Sequence, residues 1–489
     1  MKKKLRLNTI FGFINQILMI FWGLILPRLI LAAYGSEING LVNSITCILN
    51  VITLLELGVG AVVQSALYKP LADNDYEKVS KICKHASKFF RIVGLIFLGY
   101  VAVVAIVYPF KVAQFDFLFT LILVFCLSIS LFSQYYFGVV NTLLLKADQK
   151  VYIVYIVQSL TIILDTVLSY LLIKANASIQ IVKLATSLVY VIRPVVYYIY
   201  VKVKYPLRNI KPDGTELPQK WNGLAQHISY FILNNTDVLL ITMFSTLANV
   251  SIYSVYYLVV KSLTNLVISL TGGIQSYYGS FFAINDKEGL IRNYNKYTYL
   301  ISSLSILCFS IAISCIVPFI LVYTRGITDA NYDQFAFGCI ILAAHLVFCF
   351  RYCSNLLIMA VGHYKQTQLS AIIEAVINLV ISIVLIFHFG LIGVAIGTLI
   401  AMLYRSISFI IYISRNIIPR AYILFIKQMI IAIVMVGLSI FLYCFDKIQC
   451  DNYVDWIILA LKYSFIEISA FIILNIIFNF KNIKIIIKR

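Results

Sequence analysis

Charge is scarce in this sequence. Only 12% of its 489 residues are Asp, Glu, Lys or Arg, against about 25% in globular proteins, and acidic residues are the scarcer kind, 20 against 39 basic. No polar stretch is long enough for a soluble domain, and no glycine-rich loop resembles a nucleotide-binding one. The five histidines are dispersed, and the ten cysteines show no metal-ligand spacing with them. These absences exclude a soluble enzyme and a nucleotide-driven pump, and they call for no cofactor, no metal and no catalytic residue. What abounds is apolar: 62% of the residues are hydrophobic and the mean hydropathy is +0.94. Such a chain cannot hide its apolar surface from water.

A spanning helix needs about 20 mostly apolar residues. Apolar runs between charged or turn-forming clusters predict fourteen spans: 8–33, 38–66, 90–110, 117–145, 151–174, 179–201, 224–246, 250–282, 297–322, 335–361, 367–387, 392–413, 425–445 and 456–480. The first run follows MKKKLRL and is longer than the 7–15 residues of a signal-peptide core, so it reads as a span. With the N-terminus inside, the cytoplasmic segments carry 28 Lys and Arg and the outer loops four. By the positive-inside rule this bias places both termini on the cytoplasmic side, and the chain is expected to be a multi-pass protein of a bacterial plasma membrane. The bias also accounts for the net charge of +19 without a nucleic-acid partner. Basic runs at 69–91 and 202–220 are positioned to touch anionic membrane lipids.

An ordered internal similarity divides the chain further. Leu188–Val201 (LVYVIRPVVYYIYV) matches Leu399–Ser414 (LIAMLYRSISFIIYIS), which sets Arg193 against Arg405. The turns LKADQK (145–150) and VGHYKQ (361–366) correspond, and glycine pairs fall late in spans two (Gly58, Gly60) and eight (Gly272, Gly273). The expected architecture is an all-α polytopic membrane protein with two pseudo-symmetric six-helix lobes plus a C-terminal helix pair. Residues 1–203 form the N-terminal lobe, 204–223 a cytoplasmic linker, 224–414 the C-terminal lobe and 415–489 spans 13–14 with a basic tail.

Twelve charges lie inside spans. Each costs about 2.5–3.5 kcal/mol at mid-bilayer unless it has a partner or a wet cavity. Lys183 and Lys462 sit near outer ends, where they can snorkel. The candidate substrate contacts are Arg28, Lys261, Arg193, Arg405 and Arg351, with Asn234 and Asn235 of HISYFILNNTD for hydroxylated groups. For each, an intramembrane ion pair or interhelical hydrogen bond is the structural alternative. Asp237, Glu56, Asp165 and Glu374 are the candidates for binding a coupling ion. Basic groups exceed acidic ones, which favours an anionic substrate. Pro27 and Pro194 kink the helices that carry Arg28 and Arg193. Cys349 and Cys353 lie one helical turn apart, and a disulfide between Cys444 and Cys450 is geometrically open.

Arg28–Ile45 (RLILAAYGSEINGLVNSI), Leu54–Gly60 (LLELGVG), Leu67–Asp75 (LYKPLADND), Asn234–Asp237 (NNTD) and segments of Gly362–Arg405 resemble the Wzx-type polysaccharide flippases. Those belong to the multidrug/oligosaccharidyl-lipid/polysaccharide exporter superfamily. The resemblance covers nearly the whole chain. It implies two lobes that move undecaprenyl-diphosphate-linked oligosaccharides outward by alternating access, with the polysaccharide assembly machinery as a partner. It also makes Arg28 and Lys261 the contacts for the diphosphate. Two other readings remain open. A drug or cation antiporter of the same superfamily would use the carboxylates, and a membrane polysaccharide polymerase or ligase would need a larger outer loop than the roughly twelve residues of 323–334.

Overall fold

The computed structural model describes residues 2–208, 210, 224–271, 273–419, 421–446 and 450–487. The side chains of Glu56 and Asn234, both expected site residues, lie outside the described set, as does most of the expected linker. Among the described residues there is no strand. The chain forms two compact units that divide between His227 and Ile228.

In the first unit, α1 (Lys2–Leu49) passes through a 3₁₀ turn (Asn50–Ile52) into α2 (Thr53–Ala72), followed by α3 (Tyr76–Lys111) and α4 (Phe117–Ser133). A π turn (Gln134–Gly138) joins α4 to α5 (Val139–Ala147), and α6 (Val151–Lys174) and α7 (Ile179–Lys204) complete the unit. The stretch Arg6–Ile52 has 47 residues, about 70 Å of helix against a hydrocarbon core of about 30 Å. It is broken at Gly35, whose φ of 81° and ψ of 178° belong to glycine alone.

Side-chain hydrogen bonds show that the chain reverses at this break. Asn8 bonds the backbone of Gln149 (2.9 Å) and Tyr152 (2.8 Å), Asn15 accepts from Ser159 (3.1 Å), and Tyr34 donates to the Ala177 carbonyl (2.7 Å). The first arm of α1 therefore runs parallel to α6. Past Gly35 the direction is opposite to α3, because Ser44 meets Tyr108 (2.7 Å) and Ile48 meets Tyr100 (2.9 Å). Gly35 thus shares one end of the unit with 112–116 and 175–178. The other end gathers Asn8, 73–75, 148–150 and 205–208, where Asp148 binds Lys150 (2.7 Å) and Tyr205 (2.5 Å). Burial and that bond to the Asp148 carboxylate raise the Tyr205 hydroxyl pKa.

The second unit contains α8 (Leu224–Phe244), α9 (Leu247–Ser269), α10 (Ile274–Ala283), α11 (Lys287–Tyr323) and α12 (Phe335–Ala360). It continues with α13 (Tyr364–Phe389), α14 (Leu391–Asn416), α15 (Tyr422–Asp446) and α16 (Tyr453–Ile487). The expected single span 250–282 is two helices, α9 and α10, parted at Gly273 with φ 85°. Among the described residues, twelve helical stretches are long and apolar enough to cross a membrane, against the fourteen expected; α1 is one stretch that covers the first expected span and part of the second, and α8 contributes only the shorter apolar helix Asn235–Phe244.

Turn chemistry repeats between the units. Asn74 and Asn285, both at φ 56°, stop α2 and α10 in the left-handed region that asparagine tolerates. The next residue then caps the following helix: Asp75 accepts from Lys78 N (3.0 Å) and Asp286 from Gly289 N (2.8 Å). At α13–α14, Gly393 and Gly397 lie four apart on one face, and a Cβ on either would collide with Leu385 or Ser382. Small residues at this spacing let the two backbones close up. The final pair packs on α11 through Trp456, which donates to the Cys315 carbonyl (3.1 Å), and Tyr299, which donates to Asn475 (3.1 Å).

The pairing of Cys444 with Cys450, left open by the sequence, is not made, since both are free thiols. One expectation changes. Lys183 is buried at 8% exposure and is no interfacial anchor, whereas Lys462 is exposed and pairs with Asp446.

The reversal at Gly35 is testable by thiol labelling. In a variant stripped of native cysteines, Asn74→Cys and Gln149→Cys should react from one side of the membrane, and Gln114→Cys and Asn176→Cys from the other. A member of either pair reacting from the wrong side would contradict the six-pass first unit.

Candidate functional site

The close approach of α13 and α14 sets the first polar cluster of the second unit. Glu374 of α13 lies between Arg351 of α12 and Arg405 of α14, all three buried. Arg351 pairs directly with one carboxylate oxygen, and Arg405 Nε lies 3.6 Å from the other. Arg405 also donates to the Thr367 carbonyl (2.9 Å) and to Ser370, and its guanidinium stacks 4.2 Å over the Phe409 ring. Arg351 stacks 5.0 Å over Phe348. Arg351 and Arg405 were expected to contact substrate and Glu374 to couple an ion. In the structure the three charges are buried and paired with one another where α12, α13 and α14 meet.

A second cluster surrounds Asp237 of α8, at 2% exposure. It accepts from Tyr253 of α9 (2.9 Å) and from Thr398 of α14 (3.0 and 3.1 Å), and Thr398 in turn accepts from Asn378 of α13 (3.0 Å). The Asn378 carbonyl oxygen is buried with no donor among the described residues. No basic group lies within ion-pair distance of Asp237 among the described residues. A carboxylate in this setting gains charge balance only from a proton or a small cation. The described residues contain no group of three or more His, Cys, Asp or Glu able to hold a metal, so a cation here would rely on neutral oxygens.

The first unit places Asp165 of α6 beside Tyr190 of α7, whose hydroxyl donates to it (2.8 Å). Arg193, one turn on, gives its Nε–H to Thr161 (2.7 Å) and stacks 4.3 Å over the Tyr190 ring. The two arginines are structural counterparts. Arg193 lies fourteen residues after Ile179 and Arg405 fourteen after Leu391, each in a 26-residue helix. Both bond the preceding helix and stack on a ring of their own. The sequence alignment of these two helices found this pair; it gave no sign of Tyr253, Asn378 and Thr398, because they meet Asp237 only through tertiary packing.

The remaining expected contacts are less enclosed. Arg28 is half-buried on the first arm of α1, Asn235 half-buried on α8, and Lys261 exposed on α9. Cys349 and Cys353 are buried thiols.

Removing the shared carboxylate of the triad leaves two buried cations close together. Glu374→Leu should therefore destabilise the protein by about 3–5 kcal/mol, as loss of a buried partner does, and Arg351→Met by less because Arg405 still neutralises Glu374. Thermal unfolding in detergent measures both. A neutral Glu374→Leu would show that the arginines face water instead.

No family model and no curated protein matches the chain. Among solved structures, the lipid II flippase MurJ in an inward closed conformation is similar at a TM-score of 0.72 and 16% identity, over 97% of this chain and 99% of that one. An inward-facing multidrug resistance transporter of the MATE family gives 0.65 at 15% identity, over 82% and 94%. A MOP superfamily transporter from Pyrococcus furiosus gives 0.54 at 16%, over 85% and 93%. The chain has the all-helical fold of the MOP superfamily transporters.

Proposed function

We propose that this protein is a flippase that carries undecaprenyl-diphosphate-linked oligosaccharide repeat units from the inner to the outer leaflet of a bacterial plasma membrane, for cell-surface polysaccharide synthesis. The observation that carries this reading is Lys261. It lies fourteen residues after Leu247 in a 23-residue apolar helix, is exposed on its unit, and has no carboxylate within ion-pair distance among the described residues. A cation at that depth is costly against lipid and is stabilised by an anion or an aqueous cavity. Arg28, beside Pro27, supplies a bidentate donor for phosphate oxygens, while Lys261 acts as a point charge. Asn235 suits sugar hydroxyls. Arg351 and Arg405 serve the scaffold in this scheme, and Glu374 with them. The fold shared with a lipid II flippase supports the reading.

Asp237 is the candidate for the coupling ion, with Thr398 and the Asn378 carbonyl as further oxygens. Asp165, held by Tyr190, is a lesser candidate. The same Asp237 cluster, without a basic neighbour, also favours an ion-coupled drug or cation exporter as the second reading, and the multidrug transporters of this fold agree with it.

Lys261→Ala and Arg28→Ala should each abolish polysaccharide export at normal protein levels, and lipid-linked oligosaccharide should accumulate on the inner leaflet. Arg28→Lys should retain partial export where charge alone suffices. Asp237→Asn should lower export and remove its dependence on the ion gradient. Wild-type export by the double alanine variant, with altered drug resistance in Asp237→Asn, would favour the drug exporter.

A further inference from the structure

The first unit holds a cavity of its own, of about 320 Å³, between the α4–α5 helix, α6 and α7. Its polar lining is Ser130, Gln134, Thr142 and Lys146 from the first, Gln158 from α6, and Tyr190, Arg193 and Tyr197 from α7. The cavity follows from two local departures from α geometry. The π turn Gln134–Gly138 widens its helix, as such turns often do at functional sites. Pro194 lacks an N–H and so leaves the Tyr190 carbonyl without its helical donor. The two irregularities abut, since a Cβ on Gly138 would fall 2.9 Å from Pro194 Cβ.

Donors and acceptors in this lining are unequally committed. The hydroxyl protons are already used: Tyr190 donates to Asp165 (2.8 Å), Tyr197 to the Val154 carbonyl (3.3 Å), Thr142 to the Gly138 carbonyl (3.1 Å) and Ser130 to the Leu127 carbonyl (3.5 Å). The Gln158 carbonyl oxygen accepts from Asn15 (3.5 Å), which leaves its NH₂ group as the free function. Thr161 takes only the Nε–H of Arg193, so both Nη groups remain available. Lys146 has no ion-pair partner among the described residues, and no carboxylate lines the cavity. The free donors facing the space thus include N–H groups of Arg193, Gln158 and Lys146, two of them cationic, fixed on three helices beside hydroxyl oxygens left only to accept. Lys146 ends α5 at the basic end of the unit, and Arg193 lies at mid-helix.

We propose that this cavity binds the phosphate group of a membrane lipid, with the Arg193 guanidinium and the Gln158 amide at its inner end and Lys146 at its mouth. A guanidinium offers paired N–H groups to phosphate oxygens, and a mouth at the basic end is where lipid head groups lie. The site is built wholly within the first unit and does not depend on Arg28, Lys261 or the flippase reading. A phospholipid phosphodiester and a lipid-linked diphosphate share the required chemistry.

Native mass spectrometry of the full-length protein, delipidated and titrated separately with phosphatidylglycerol and undecaprenyl diphosphate, distinguishes the two sources. The Lys146→Gln/Arg193→Gln variant should retain one fewer bound lipid, with affinity lower by about tenfold or more, the scale of a lost charge-assisted hydrogen bond. Loss confined to one lipid assigns the source, and loss of both assigns the shared phosphate. Thr142→Phe keeps both charges, fills the cavity and should lose the same binding. Unchanged retention of both lipids in the charge variant, or wild-type retention in Thr142→Phe, overturns the site. Thermal unfolding of each variant confirms that a folded protein is compared.

Discussion

A charged side chain inside an apolar helix has no water to fall back on, and in this protein that constraint sorts helices into bundles. Glu374 illustrates it. Its two oxygens are divided between Arg351 and Arg405, so α12, α13 and α14 are bound by charges that none of them could carry alone. The approach of α13 to α14 at Gly393 and Gly397 makes the geometry available. The same approach brings Thr398 within reach of Asp237. One backbone contact therefore serves two polar clusters: in one the carboxylate is paired with arginines, and in the other it meets only neutral donors.

That contrast separates scaffold from function. A buried ion network with its charges spent resists change and holds helices in register. An acidic group held only by neutral donors can gain a proton or a cation without breaking an ion pair. Lys261 stands at the other extreme, exposed in an apolar helix. Charges of the same type thus carry different meaning, and the partner within 4 Å decides which.

Much of this was legible in the sequence. Apolar runs located the helices, and the match of Leu188–Val201 with Leu399–Ser414 located the paired arginines Arg193 and Arg405. Asparagine and aspartate at 74–75 and 285–286 mark equivalent turns by their own backbone preferences, a signal available from sequence and overlooked. Partnership was not legible: Asp237 and Thr398 are 161 residues apart, and nothing local distinguishes Glu374, a spent charge, from Asp237. Interruptions at Gln134–Gly138 and Asn50–Ile52 were also hidden, because each lies inside a longer apolar run whose isolated polar residues, Gln134 and Asn50, give no turn signal.

The π turn has a consequence for which residues can share a face. Ser130, Gln134, Gly138, Thr142 and Lys146 are spaced by fours and line one cavity. In an unbroken helix of 3.6 residues per turn, each step of four overshoots by about 40°, so the last of the five would be rotated about 160° from the first. The wider turn holds about one residue more than an α turn, roughly 100° of rotation, and so takes up most of that drift like a leap day in a calendar. It leaves Lys146 about 60° from Ser130, where an unbroken helix would carry it round to the opposite side.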